Sequence, residues 1–241
     1  MLIVEMLPDV SDAAVRNIFD RINRNSRKLT PQEIRHAKYD GWFITTVEAE
    51  ADKQEWKDFG LSTTSRAKRM ADVQFVSELF QILINQRIEG FDQDALDDLY
   101  AQYEDTADQS TFIEEDLLAE IERVKAYIHE ALKIKPVLRE YTKVQSHFYS
   151  LWAYLALEKA RLLPVQNFAP KYAAFLDHVN KAIKGELPQD PDASVGAFLQ
   201  NIIDYATSAR GASTDLNPRS KRHAALIADL HGTHGAIHED H

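Results

Sequence analysis

The chain has 241 residues, 44% of them hydrophobic, with 38 acidic against 28 basic side chains and a formal net charge of −10. That length suits one large domain or two small ones, and the absence of cysteine excludes disulfides, zinc–thiolate centres and thiol catalysis. The acidic balance excludes a general polyanion binder, because neutralising phosphates takes clustered Lys and Arg, although local basic patches remain.

No apolar run approaches the roughly 20 residues of a membrane-spanning helix. The opening MLIVEMLPDVSD lacks the basic n-region and long apolar core of a signal peptide, so a cytoplasmic protein is expected. Gly and Pro number 8 each, and the Gly-rich dipeptides of hairpins are missing, which predicts a mostly helical chain.

Leu2 to Met6 give the one strand signal, a short apolar run closed by Leu7-Pro8-Asp9. An isolated strand cannot satisfy its own backbone, so it must pair elsewhere or fray. Ser11 or Asp12 then caps a helix with Val15, Ile18, Phe19 and Ile22 on one face, and Asn23–Ser26 end it. Thr30-Pro31-Gln32-Glu33 is a capping box with Pro at the first helical position, and Asp40-Gly41 interrupts the helix it starts. Trp42, Phe43 and Val47 resume an apolar face. Ser65 to about Asn85, with VQFVSELFQILI, is apolar nearly all round and predicts one central helix.

Further helical patterns follow at Ala95–Tyr103, which is short, at Thr111–Lys133 up to Pro136, and at Val144–Leu163 up to Pro164. The last three fall at Ala169–Lys184, Ser194–Ala206 and Pro218–Leu230, separated by the loops at 184–194 and 210–218. The expectation is an all-α fold, a multi-helix orthogonal bundle with one short N-terminal strand. Residues 1–10 form an arm, 11–230 a single helical domain, and 231–241 a disordered tail.

Few residues form a chemical constellation. Glu33-x-x-His36 matches half of a carboxylate-bridged di-metal motif, but the chain has no second E-x-x-H, and the capping box already accounts for Glu33. His231, His234, His238 and His241 have spacings that suit a metal only on a helix, which Gly232 and Gly235 oppose. No metal site is therefore assigned. Arg66, Lys68 and Arg69, and the run Arg219–His223, are basic clusters; solvated surface is the simpler reading, and Arg66, Arg69, Arg219 and Arg222 are the candidates for phosphate contact. No phosphate-loop, dinucleotide, nucleophile-elbow or zinc-protease motif occurs.

Phe19-Asp20-Arg21-Ile22-Asn23, followed by Leu29-Thr30-Pro31-Gln32-Glu33-Ile34-Arg35, resembles the F-x-R-x-N … L-[ST]-x-x-E-[LI]-R signature of the N-terminal domain of GmrSD-type, modification-dependent restriction enzymes. His36–Phe43, Ser65–Leu79 and, more weakly, Pro218–Leu230 continue the similarity. The resemblance implies a ParB/sulfiredoxin-like α/β half bearing a D-G-Q-Q-R motif for nucleotide binding and hydrolysis, joined to a helical half. Some members add a His-Asn-His nuclease and act on modified phage DNA.

This chain carries neither D-G-Q-Q-R nor a nuclease motif and begins at what resembles the last strand before the helical half. The implied protein is a non-catalytic helical portion or partner, split, truncated or started late. It would dock on a ParB-like domain supplied in trans, with no cofactor of its own and a nucleoside triphosphate in that partner. Phe19, Arg21, Asn23, Gln32, Glu33 and Arg35 would mark the seam, with Arg21 and Asn23 turned to the nucleotide-bearing domain; nucleic-acid contact stays open. The bland alternative gives Asn23 a helix end and Arg21 a surface ion pair. A free-standing interaction module, homodimeric through Leu2–Met6, and a metal-dependent hydrolase are the competing functions.

Overall fold

The computed structural model describes residues 28–109, 111–187 and 193–232. The strand expected at Leu2–Met6, the helix ending at Ile22 and the histidines beyond His231 lie outside the described residues. Among the described residues every regular element is helical, with twelve α-helices and three short 3-10 turns.

Helix α1 (Pro31–Lys38) starts as its sequence instructs: the Thr30 hydroxyl accepts from the Glu33 N–H at 3.2 Å, and the Glu33 carboxylate accepts from the Thr30 N–H at 2.6 Å. Helix α2 (Trp42–Ala51) begins at Gly41. There the Glu104 carboxylate accepts from the N–H groups of Asp40 and Gly41, both at 3.0 Å, and the backbone approaches so closely that a Cβ on Gly41 would lie 2.1 Å from the Glu104 carbonyl oxygen. Helix α3 (Gln54–Asp58) carries the buried Trp56.

The single helix expected from Ser65 to Asn85 is two, α4 (Thr64–Ala67) and α5 (Ala71–Asn85). The Arg69 and Met70 N–H groups fold back on the Arg66 and Ala67 carbonyls, Met70 turns left-handed at φ 53°, and the freed Arg69 carbonyl takes the Thr30 hydroxyl. Neither Gly nor Pro marks this break.

Helix α6 (Gln93–Gln102) is capped by Asp92, whose carboxylate accepts from the N–H groups of Asp94 and Ala95. Helix α7 (Glu114–Ile134) places Glu114, Glu115 and Asp116 in its first turn, where they favour the helix dipole. After Pro136 comes a 3-10 turn, the short α8 (Arg139–Thr142), and α9 (Gln145–Leu157), which stops well before the expected Leu163. Helix α10 (Val165–Lys184) starts earlier than expected because Pro170, exposed in its second turn, surrenders only one hydrogen bond. Gly185 closes it at φ 77°. Helices α11 (Ala193–Ser208) and α12 (Leu216–His231) complete the set, so His231, expected in the tail, is the last residue of a helix.

Helices α5 and α9 form the centre. Residues Val73–Leu83 and His147–Ala156 are almost wholly buried, and the Trp152 indole N–H donates to the Leu79 carbonyl at 3.1 Å, tying one central helix to the other. Helix α2 packs on α5, α10 on α7, α11 on α10 and α12, and α12 returns against α9. Trp56, Phe59, Phe148 and Trp152 pack into one aromatic cluster, with ring centroids 5.5 to 6.1 Å apart, inside a continuous core that runs from Phe43 to Leu230. No helix among the described residues is long and apolar enough to cross a membrane.

The two glycine environments predict opposite outcomes. Gly41→Ala must push back the Glu104 backbone and is expected to cost about 1–3 kcal/mol. Gly196→Ala, in helix α11 with nothing within 4 Å of the added carbon, is expected to gain about 0.5–1 kcal/mol. Chemical denaturation of the three chains measures both.

Candidate functional site

The motif residues that lie within the described structure form a polar anchor under helix α1. Gln32 and Arg35, one turn apart, are 1% and 2% exposed. The Arg35 guanidinium donates to the Asp97 carboxylate at 2.6 Å, to the Gln93 side chain and carbonyl at 2.6 and 2.9 Å, and to the Gln32 side-chain oxygen at 3.3 Å. Gln32 in turn donates to the Tyr100 hydroxyl at 2.8 Å. Since the Ser77 hydroxyl donates to the Val73 carbonyl, the Tyr100 proton goes to Ser77, and burial pushes the Tyr100 pKa up to about 12, which keeps it neutral.

Glu33 closes the capping box and also lies 3.3 Å from Arg69, whose guanidinium donates to the Lys28 carbonyl at 2.7 Å. These contacts direct Gln32, Glu33 and Arg35 into the bundle. Phe19, Arg21 and Asn23 lie outside the described residues.

Of the four phosphate candidates, Arg66 is partly exposed and donates to the Leu61 carbonyl at 2.8 Å, and Arg69 is the partner of Glu33. Arg219 and Arg222 correct the expectation of a solvated basic face: they are 3% and 0% exposed. The helical spacing that puts both on one side of α12 turns that side toward the core, leaving Ser220 and Lys221 outside.

Arg219 pairs with Glu78, donates to the Glu89 carbonyl at 3.0 Å and stacks 3.8 Å from the centroid of the Tyr149 ring. Burial pushes the Glu78 carboxyl above its ordinary value while Arg219 pulls against it. Arg222 donates to the carbonyls of Ser208 and Ser213, at 2.5 and 2.9 Å, and to the Ser150 hydroxyl at 3.0 Å. These oxygens are neutral, and burial pulls the Arg222 pKa down. One nitrogen of each guanidinium, Nε of Arg219 and Nη2 of Arg222, is buried without a protein partner.

Glu78 and Lys125 escaped the sequence reading, though each is a charge inside an otherwise apolar face, which signals a buried pair. Lys125, 1% exposed, reaches Glu50 and Glu122 at 2.7 Å, and Glu50 also accepts the Trp56 indole N–H at 3.1 Å. Beside the anchor lies a cleft of about 740 Å3 between α2 and residues 62–73. Ala51, Met70 and Val73 contribute apolar surface to it, and Glu48, Asp52 and Asp72 line it with carboxylates. No group of three or more His, Asp or Glu able to hold a metal occurs among the described residues.

No family model, no curated protein and no solved structure matches this chain.

The polar core predicts a pH response. His147 sits against the Tyr205 hydroxyl at 3.1 Å, and burial, helped by Arg222, lowers its pKa from 6.5 to about 4. The unfolded chain therefore binds a proton that the folded chain refuses. The resulting stability is complete above pH 6.5 and falls as the pH drops toward 4, by at most about 3 kcal/mol from this residue. The His147→Gln variant is expected to flatten the decline in melting temperature across that window.

Proposed function

We propose that this chain is the non-catalytic helical portion, or partner, of a GmrSD-like restriction or anti-phage defence protein. In that reading it acts in the cytoplasm and docks on a ParB-like nucleotide-binding domain supplied in trans. Its helices cross as an orthogonal bundle, and Leu2–Met6 lend an edge strand to the partner's sheet. The nucleoside triphosphate belongs to the partner.

What supports the reading is the division of labour within the motif. Its second half, Leu29 to Arg35, is spent on anchoring: Thr30 and Glu33 cap α1, and Gln32 and Arg35 fasten it to Gln93, Asp97 and Tyr100, the last bonded in turn to Ser77. A segment entering at Lys28 thus meets a rigid mount, as a seam between two domains requires. The first half supplies Arg21 and Asn23, a planar phosphate fork and a paired donor and acceptor.

A second reading, a free-standing interaction module, draws on the exposed apolar side chains Ile134, Val137 and Val144, which fall close together along the chain at the turn from α7 to α9.

The test is reconstitution. The purified chain alone is expected to show no nucleoside triphosphate turnover and to run as a monomer in light scattering. Adding a ParB-like, D-G-Q-Q-R-bearing domain encoded beside it is expected to give a one-to-one complex with nucleotide-dependent stability. Turnover by the chain alone refutes the proposal, and a stable homodimer that ignores the domain establishes the second reading instead.

A further inference from the structure

The break between α4 and α5 falls where the local sequence asks for none. Ala67-Lys68-Arg69-Met70-Ala71 are all strong helix formers, with neither Gly nor Pro among them. Met70 nevertheless sits left-handed at φ 53°, a conformation that crowds the Cβ of an L-residue against the following carbonyl. Where local preference and observed backbone disagree, contacts distant in sequence decide, and such places gather at switch regions.

Those contacts come from the start of α1. The Thr30 hydroxyl donates to the Arg69 carbonyl at 3.3 Å. The Arg69 guanidinium donates to the Lys28 carbonyl at 2.7 Å and lies 3.3 Å from Glu33. In an unbroken helix the Arg69 carbonyl accepts from the N–H four residues on, that of Val73. Here Val73 donates instead to the Asp72 carboxylate at 3.0 Å. Thr30 and Asp72 thus hold apart the two halves of one helical hydrogen bond.

We infer that this break is a two-state hinge latched by Lys28–Glu33. When Thr30 and Arg69 release their partners, Val73 takes the Arg69 carbonyl, Met70 returns to the right-handed region, and α5 grows backward by one turn, through Ala67. The turn that moves is part of the cleft beside α2, since Ala67, Met70 and Asp72 line it, as do Thr63 and Thr64 just before. The position of the chain at Lys28–Thr30 therefore sets the shape of that wall. The hinge is built from this chain's own contacts and holds whether or not the defence reading does.

Amide hydrogen exchange of Val73 in the full-length chain reads the swap. Thr30→Asp separates latch from cap: a carboxylate caps α1 as well as a hydroxyl does but has no proton to donate to the Arg69 carbonyl. General destabilisation speeds exchange, whereas the hinge slows it at Val73, by about tenfold, as that amide enters a helical bond. Leu79, deep in the same helix, is not expected to slow with it. Thr30→Ser, which keeps the donor, is expected to exchange at the parent rate. Adding Met70→Gly to Thr30→Asp favours the left-handed turn over the helix interior and is expected to restore the parent rate at Val73. Unchanged or faster exchange at Val73 in Thr30→Asp overturns the inference. So does an equal slowing in Thr30→Ser, or a slowing that persists after Met70→Gly is added.

Discussion

A carboxylate placed in the middle of an apolar helix forces a decision on the rest of the chain. Leaving it unpaired in the interior costs several kcal/mol, so the helix can be surrounded only if a counter-charge arrives. Glu78 is that carboxylate, midway along the central helix, and Arg219 from the last helix is the answer. The same guanidinium lies on the Tyr149 ring of the other central helix and holds the Glu89 carbonyl in the turn that follows α5. Tyr149 donates its own hydroxyl to that carbonyl at 2.9 Å. One ion pair thus joins the two central helices, the last helix and a turn. It also fixes the rotation of α12, which in turn buries Arg222 against the Ser208 and Ser213 carbonyls.

What the sequence disclosed and what it withheld divide along the range of the interaction. The start of α1 was legible because Thr30 and Glu33 answer each other within one turn, and the ends at Pro136 and Lys184 because a proline or a glycine acts on its own backbone. All-helical character followed from periodicity and from the scarcity of turn residues. The break at Met70 was hidden because its cause lies far away in sequence: the carbonyl of Arg69 is taken by Thr30. Arg219 and Arg222 looked like surface for the same reason, since a basic run at a helix start says nothing of a carboxylate contributed by another helix. The one available clue was Glu78 itself, a charge that the run VQFVSELFQILI had no local way to satisfy.

The residues that resemble a family signature acquire a physical meaning from their surroundings. Arg35 makes four hydrogen bonds to two helices, a geometry that the single ammonium of lysine cannot reproduce. Gln32 is one link in a chain of hydrogen bonds ending at the Val73 carbonyl in α5. Such residues secure the helix instead of touching a ligand, and the proposed partner contacts fall to the segment that precedes them. A motif that reads as a single unit along the chain therefore serves two different tasks in space.

The Glu78–Arg219 pair also sets a timetable for synthesis. The two residues stand 141 positions apart. At a translation rate of about 5–20 residues per second, the nascent central helix waits roughly 7 to 28 seconds for its counter-ion. During that interval an acidic, largely apolar helix has no completed interior to enter. The burial of Glu78 thus waits until Arg219 has left the ribosome, and a chain cut short before Arg219 lacks the charge that lets the central helix be enclosed.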